Sequence, residues 1–264
     1  MFNRVMGRVG AAALVTVAVA AGPVAVAHAD THEANTCASQ VAAYDGVVSD
    51  LKAHVATRDS VNRYSQTAVD NYNNRLHELK AQLETVSTKR ASCEVAVKGL
   101  GGAPADMPTE FTSLSSALGT SPGKDAINTF VTGFGKLVGD SFKDERLQAK
   151  KMPAVGDKDL AVPGGQITAY SDGSPAISAR AVVPIADVVQ LSQFTALTPV
   201  NQWAVLMARK NYQWMSNQAV LSQSSASAKA VNGLDSDWTS MQQTLATETK
   251  QTLSASIDLL IKSQ

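Results

Sequence analysis

The chain has 264 residues, with 23 Lys and Arg against 23 Asp and Glu, and aromatic side chains make up only 5% of it. So even a balance excludes the basic face that nucleic-acid binding requires, and so few aromatics leave the core to aliphatic side chains. The length fits one domain or two small ones.

Residues 1–29 read as a secretory signal peptide. Arg4 and Arg8 give a positive start, Val9–Val26 is an apolar run of 18 residues, and Ala27-His28-Ala29 is a small-x-small cleavage pattern before Asp30. A run of this length also raises an uncleaved anchor, but Pro23 and the cleavage pattern favour removal near Ala29. The Ala- and Val-rich leader suits a bacterium. Cleavage leaves residues 30–264, with 21 basic against 23 acidic residues and a net charge of −2. That charge offers no bulk attraction to an anionic membrane.

Residues 30–98 are expected to form a helical hairpin. Val47–Lys98 is a stretch of 52 residues without Gly or Pro. Val41, Tyr44, Val48, Leu51 and Val55, then Val69, Tyr72, Leu76, Leu79, Leu83, Val86, Cys93 and Val97, recur at spacings of three and four. This is the seam pattern of packed helices. Arg58, Asn62 and Ser65 interrupt it. Either one helix runs on for about 80 Å at ~1.5 Å per residue, or the chain reverses near 58–66. Cys37 and Cys93, the only two cysteines, are expected to pair in an exported chain, and the reversal uses that bond. Their midpoint is residue 65, whereas the cap signals Asp59 and Ser60 put the turn earlier.

Residues 99–197 form a Gly- and Pro-rich middle. Gly99, Gly101, Gly102 and Pro104 stop the second helix. Asp125–Phe142 is amphipathic, with Ile127, Phe130, Val131, Phe134, Leu137, Val138 and Phe142 on one face. That face is expected to pack on the helices, with membrane-surface contact through residues 125–142 as the alternative. Gln166–Tyr170 and Ala176–Val183, joined by a turn at Ser171–Pro175, predict a β-hairpin.

Residues 198–264 predict a second helical hairpin packing with the first. Thr198 and Pro199 start a helix, and residues 200–232 hold no breaker. Val200, Trp203, Met207, Trp214 and Leu221 would form its buried stripe. After Asn232-Gly233 a final helix is expected from about Asp235 to Ile261, with Leu234, Trp238, Met241, Leu245, Leu253, Ile257 and Leu260 inward. The expected fold is therefore mainly α: long antiparallel hairpins, four-helix-bundle-like, around a small irregular and β-hairpin middle.

Catalytic motifs are not found. His32, His54 and His77 lie in no zinc-binding spacing, and His77-Glu78 lacks the second histidine of that motif. Gly119–Asp125 has the look of a phosphate loop but is one residue short between its glycines, and Asp125 stands where Ser or Thr is needed. Ser121-x-x-Lys124 and Ser49-x-x-Lys52 both match a penicillin-site pattern without its partner motifs. Asp140 with Asp144 or Glu145 lies in a charged, solvated run. Trp203, Trp214 and Trp238 are expected in a core stripe rather than a ligand-stacking site.

No catalytic, cofactor-binding or metal residue is assigned, and no cofactor is expected. The expected function is that of a secreted, non-enzymatic interaction or structural module of the cell envelope or extracellular space. Its partner would be a protein or an envelope component, with homo-oligomerisation through the seam as an option. Two alternatives remain. One is a membrane-active protein, whose outline resembles that of helical pore-forming toxins with no motif behind the likeness. The other is an envelope hydrolase whose site the sequence does not reveal.

Overall fold

A computed structural model describes residues 36–102, 106–114, 122–138, 141–142, 146–224 and 233–264. It is mainly helical with one small two-stranded antiparallel sheet. The chain divides into two compact units, residues 38–91 and residues 36–37 with 92–264.

The first unit is helical, and the second of its two helices runs on into the second unit. Helix α1 covers Ala38–Ala56 and helix α2 runs from Gln66 to Gly99. Short polar side chains turn the chain between them. Thr57 Oγ1 donates to the His54 carbonyl at 2.7 Å and Ser60 Oγ to the Thr57 carbonyl at 2.6 Å. Asn62 Oδ1 accepts from the Tyr64 amide, and Ser65 Oγ accepts from Ala68 N at the start of α2. Such side chains compete with helical hydrogen bonds and so favour reversals. Leu51, Tyr72, Leu76 and Leu79 form the unit's own core, flanked by Val55, Val61 and Leu83. The His54 ring stacks on Tyr72 at 4.4 Å, and its Nε2–H donates to the Tyr72 carbonyl at 2.9 Å. The His54–Tyr72 midpoint is residue 63, between the two turn positions that the sequence left open.

The second unit contains the Cys37–Cys93 disulfide, with Cα atoms 5.9 Å apart. Both cysteines are buried in the main core, with Ala96 and Val97 from the end of α2 and Leu100 just beyond it. Helix α3, Lys124–Val138, buries Ile127 and Phe134, and its Phe130, Val131, Leu137 and Val138 also pack on that core. Its apolar face is therefore covered in part by the protein itself, with Phe130, Val131, Leu137 and Val138 half-buried. Strand β1 is Ile177–Ala181, followed by the short helix α4 at Ile185–Val188. Helix α5, Pro199–Leu206, is capped as expected, with Thr198 accepting from the Asn201 amide. Helix α7, Ser236–Ser263, is capped by Asp235, whose carboxylate accepts from Trp238 N at 2.9 Å. It sends Leu253, Ile257 and Leu260 into the main core.

Two expectations are corrected. The helix foreseen over 200–232 ends at Leu206. A 3₁₀ turn at Arg209–Asn211, strand β2 at Tyr212–Ser216 and helix α6 at Asn217–Ser224 follow it. The 198–264 region is thus not a simple helical hairpin, and one long helix of the expected four-helix arrangement is missing. Val200 and Leu221, placed in its buried stripe, are exposed, as is Met241 in α7. The second correction concerns the β-hairpin. Ala176–Val183 does contain a strand, but β1 pairs with β2, from Ile177↔Ser216 to Ala181↔Tyr212. Residues 166–170 contribute only isolated bridges, Lys158↔Gln166 and Ala169↔Pro175. The physical reason is burial. β2 contributes Tyr212, Met215 and Ser216 to the interior, whereas Gln166 and Thr168–Tyr170 are exposed.

Candidate functional site

The second unit holds a cleft of about 590 Å³, within the range of ligand pockets. Three stretches far apart in sequence form it. They are Gln213–Ser216 of β2, a face of α7 between Trp238 and Glu248, and parts of the loop between Leu147 and Ile167.

The loop wall is held by its own backbone. Asp159 N donates to the Gly165 carbonyl at 2.9 Å, Gly165 N to the Val162 carbonyl at 2.9 Å, and Ile167 N to the Asp157 carbonyl at 2.8 Å. Gly164 takes a φ of +68°, a conformation that other residues rarely adopt. The Asp235 amide donates to the Ala161 carbonyl, which ties the loop to the start of α7. Ala161, Met215, Ala219 and Trp238 make a small core of their own behind the cleft. Gln213 Nε2 and Gln242 Oε1 bond at 2.5 Å, joining β2 to α7.

The register of the sheet decides which way β2 faces. Val182 N donates to the Asn211 carbonyl at one end, and Asn217 N to the Ala176 carbonyl at the other. In an antiparallel ladder, hydrogen-bonded and non-bonded pairs alternate. The bonded pairs are then Arg180 with Gln213 and Ser178 with Met215. Ala179↔Trp214 is a non-bonded pair, so the Trp214 N–H and C=O point away from β1. Four consecutive residues of β2 border the cleft and no residue of β1 does. Successive side chains of a strand leave on opposite faces, so four in a row share one space only along an edge. The cleft therefore runs along the free edge of β2. Among the described residues, neither backbone group of Trp214 has a hydrogen-bond partner.

Both walls also hold unsatisfied polar atoms. Asp159 is 4% exposed; its Oδ1 accepts from Ala161 N at 3.0 Å, while its buried Oδ2 has no partner. Trp214 Nε1 is likewise buried without an acceptor. Each such group costs about 1–3 kcal/mol. Lys150, Lys151 and Lys158 are exposed on the loop side, and no ion pair involving them is found among the described residues.

Behind β2, the Tyr212 hydroxyl donates to the Leu206 carbonyl at 3.0 Å and its ring lies 4.3 Å from that of Phe142. Burial pushes its pKa far above the ordinary phenol value, because the anion would lose its water. On the exposed turn after Tyr170, the Ser174 hydroxyl and amide both donate to Asp172, and these bonds lower its carboxyl pKa.

The tryptophans expected in one stripe separate. Trp203 sits in the main core, edge-on to Phe111 at 5.2 Å and Phe134 at 5.7 Å. Trp214 and Trp238 line the cleft. His54 is engaged with Tyr72, and His77 lies exposed on α2. His32, Gly119–Ser121, Asp140, Asp144 and Glu145 lie outside the described residues. Among the described residues no group of three or more His, Cys, Asp or Glu could hold a metal ion, and no helix is long and apolar enough to cross a membrane. Compared with protein-family models, curated proteins and solved structures, the chain matches none.

Proposed function

We propose that the protein is exported and acts outside the cytoplasm as a binding module for a protein or envelope component, without catalysing a reaction. The observation that carries the reading is the cleft along the free edge of β2, with backbone and side-chain hydrogen-bonding groups left unfilled. Open strand edges are usually blunted or covered, and one recessed in a cleft is protected from indiscriminate pairing yet open to a fitting ligand. The Cys37–Cys93 disulfide supports the exported half of the reading, since such bonds persist in oxidising compartments. The membrane-active alternative is the weaker one, because the apolar face of α3 is already packed in part on the core.

The test is expression of the full chain in a bacterial host, fractionation, N-terminal sequencing and cross-linking on intact cells. A mature N-terminus at Asp30 and a reproducible cross-linked adduct are expected. An intact Met1 terminus in the cytoplasm, or a mature protein with no adduct in any fraction, refutes the proposal.

A further inference from the structure

We infer that the cleft binds an extended peptide segment that adds to the free edge of β2 as a third strand, and that this segment alternates apolar with acidic side chains. The inference rests on the binding-module reading and names its partner's chemistry.

Backbone geometry selects a peptide. The Trp214 N–H and C=O point into the cleft side by side, the arrangement that the main chain of one residue on a neighbouring strand satisfies with two hydrogen bonds. Toward the start of β2 the edge is closed, because the Tyr212 N–H already donates to the Arg209 carbonyl, so the added strand is centred on Trp214. Strand addition draws its affinity from such main-chain bonds and its specificity from pockets for alternate side chains.

The surroundings choose the side chains. Away from the loop, Met215 of β2 and Trp238 of α7 offer apolar surface. On the loop side, Lys150, Lys151 and Lys158 place three exposed cations, against the single exposed carboxylate of Glu248 among the lining residues. Successive side chains of an added strand face opposite ways, so one set enters the apolar side and the other meets the lysines. Carboxylates are the complement that steers the correct partner and rejects basic ones.

The experiment selects binders from a random octapeptide library on immobilised mature protein, residues 30–264. The recovered peptides are then synthesised for fluorescence anisotropy. Alternating acidic and apolar sequences are expected to be enriched. N-methylation of the amides on one edge of the peptide should abolish binding, while methylation of the intervening amides should leave it within about threefold. Changing Lys150, Lys151 and Lys158 together to Glu, all exposed and so harmless to folding, should weaken binding at least tenfold. Hydrogen exchange of the Trp214 amide should slow at least tenfold in the complex. No enrichment, enrichment of basic peptides, indifference to N-methylation, or an unprotected Trp214 amide each overturns the inference. If cross-linking on cells still captures a partner that the Lys-to-Glu protein retains, the binding-module reading stands and only this site falls.

Discussion

The side chain of Asn211 takes the place of a strand residue opposite Val183. Its Oδ1 accepts from Val183 N at 2.8 Å, and its Nδ2 donates to the Val183 carbonyl at 3.0 Å. Asn211 is fully buried and Val183 nearly so, so neither backbone group can turn to water instead. Gln202 does the same for Leu114 across 88 residues, with both of its bonds at 2.9 Å.

From the first of these pairings, Asn211→Leu is expected to cost about 3 kcal/mol. It strands a buried N–H and a buried C=O, each worth about 1–3 kcal/mol. Urea unfolding followed by circular dichroism measures this. A loss below 0.5 kcal/mol would mean that Val183 finds other partners.

The same pairing explains what the sequence could and could not disclose. Helices α1 and α2 were legible because their signal is local: apolar residues at spacings of three and four, no breaker from Val47 to Lys98, then Gly99 and its neighbours. The cap at Thr198 and the start of the last helix near Asp235 were legible for the same reason. Strand β2 was not, because no Gly or Pro marks the end of α5 after Leu206. What stops the helix is tertiary, the bonding of Asn211 to a residue 28 positions earlier. The run Tyr212–Ser216 shows no clean period-two alternation, since Trp214 and Met215 are adjacent apolar residues, and Trp203, Met207 and Trp214 fit helical spacing, which concealed the strand. The cleft was harder still. Its walls come from three distant stretches, and Asp159, Trp214 and Lys158 belong to no common motif.

Removing the disulfide has a calculable consequence. Its closure spans 56 residues of sequence separation, for which the chain-entropy account gives about 4 kcal/mol. The double substitution Cys37→Ser with Cys93→Ser should lower unfolding stability by roughly that amount, and reductant should lower the native protein to match. An equal denaturation midpoint for both proteins would show that the core around Cys93, Ala96 and Val97 supplies the stability without the bond.

Alkaline pH should unfold the second unit through Tyr212. Its folded pKa lies above the unfolded value near 10, so the folded state favours the neutral phenol. The associated stability is fully present below pH 10 and is lost as pH rises above it. Tyr212→Phe should flatten the fall in stability between pH 9.5 and 11. It should also cost about 1 kcal/mol at neutral pH, for the hydrogen bond to the Leu206 carbonyl. Unchanged alkaline sensitivity in the variant would assign the effect to other groups.

The end of α2 approaches α7 closely enough to forbid a side chain. A Cβ on Gly99 would meet Ser256 Oγ at 2.8 Å, and Ser256 is buried, with little room to swing away. Gly99→Ala carries two opposed effects. Alanine favours the helix by up to about 1 kcal/mol, while overpacking typically costs about 1–3 kcal/mol. The contact is nearer than atoms tolerate, so the packing cost should win and the variant should be less stable. Ser256→Ala removes the offending oxygen. In that background Gly99→Ala should be neutral or stabilising, and the double-mutant cycle should return a coupling of at least about 1 kcal/mol. If the two substitutions add independently, the helices have room to separate at this crossing, and glycine at position 99 serves only to end α2.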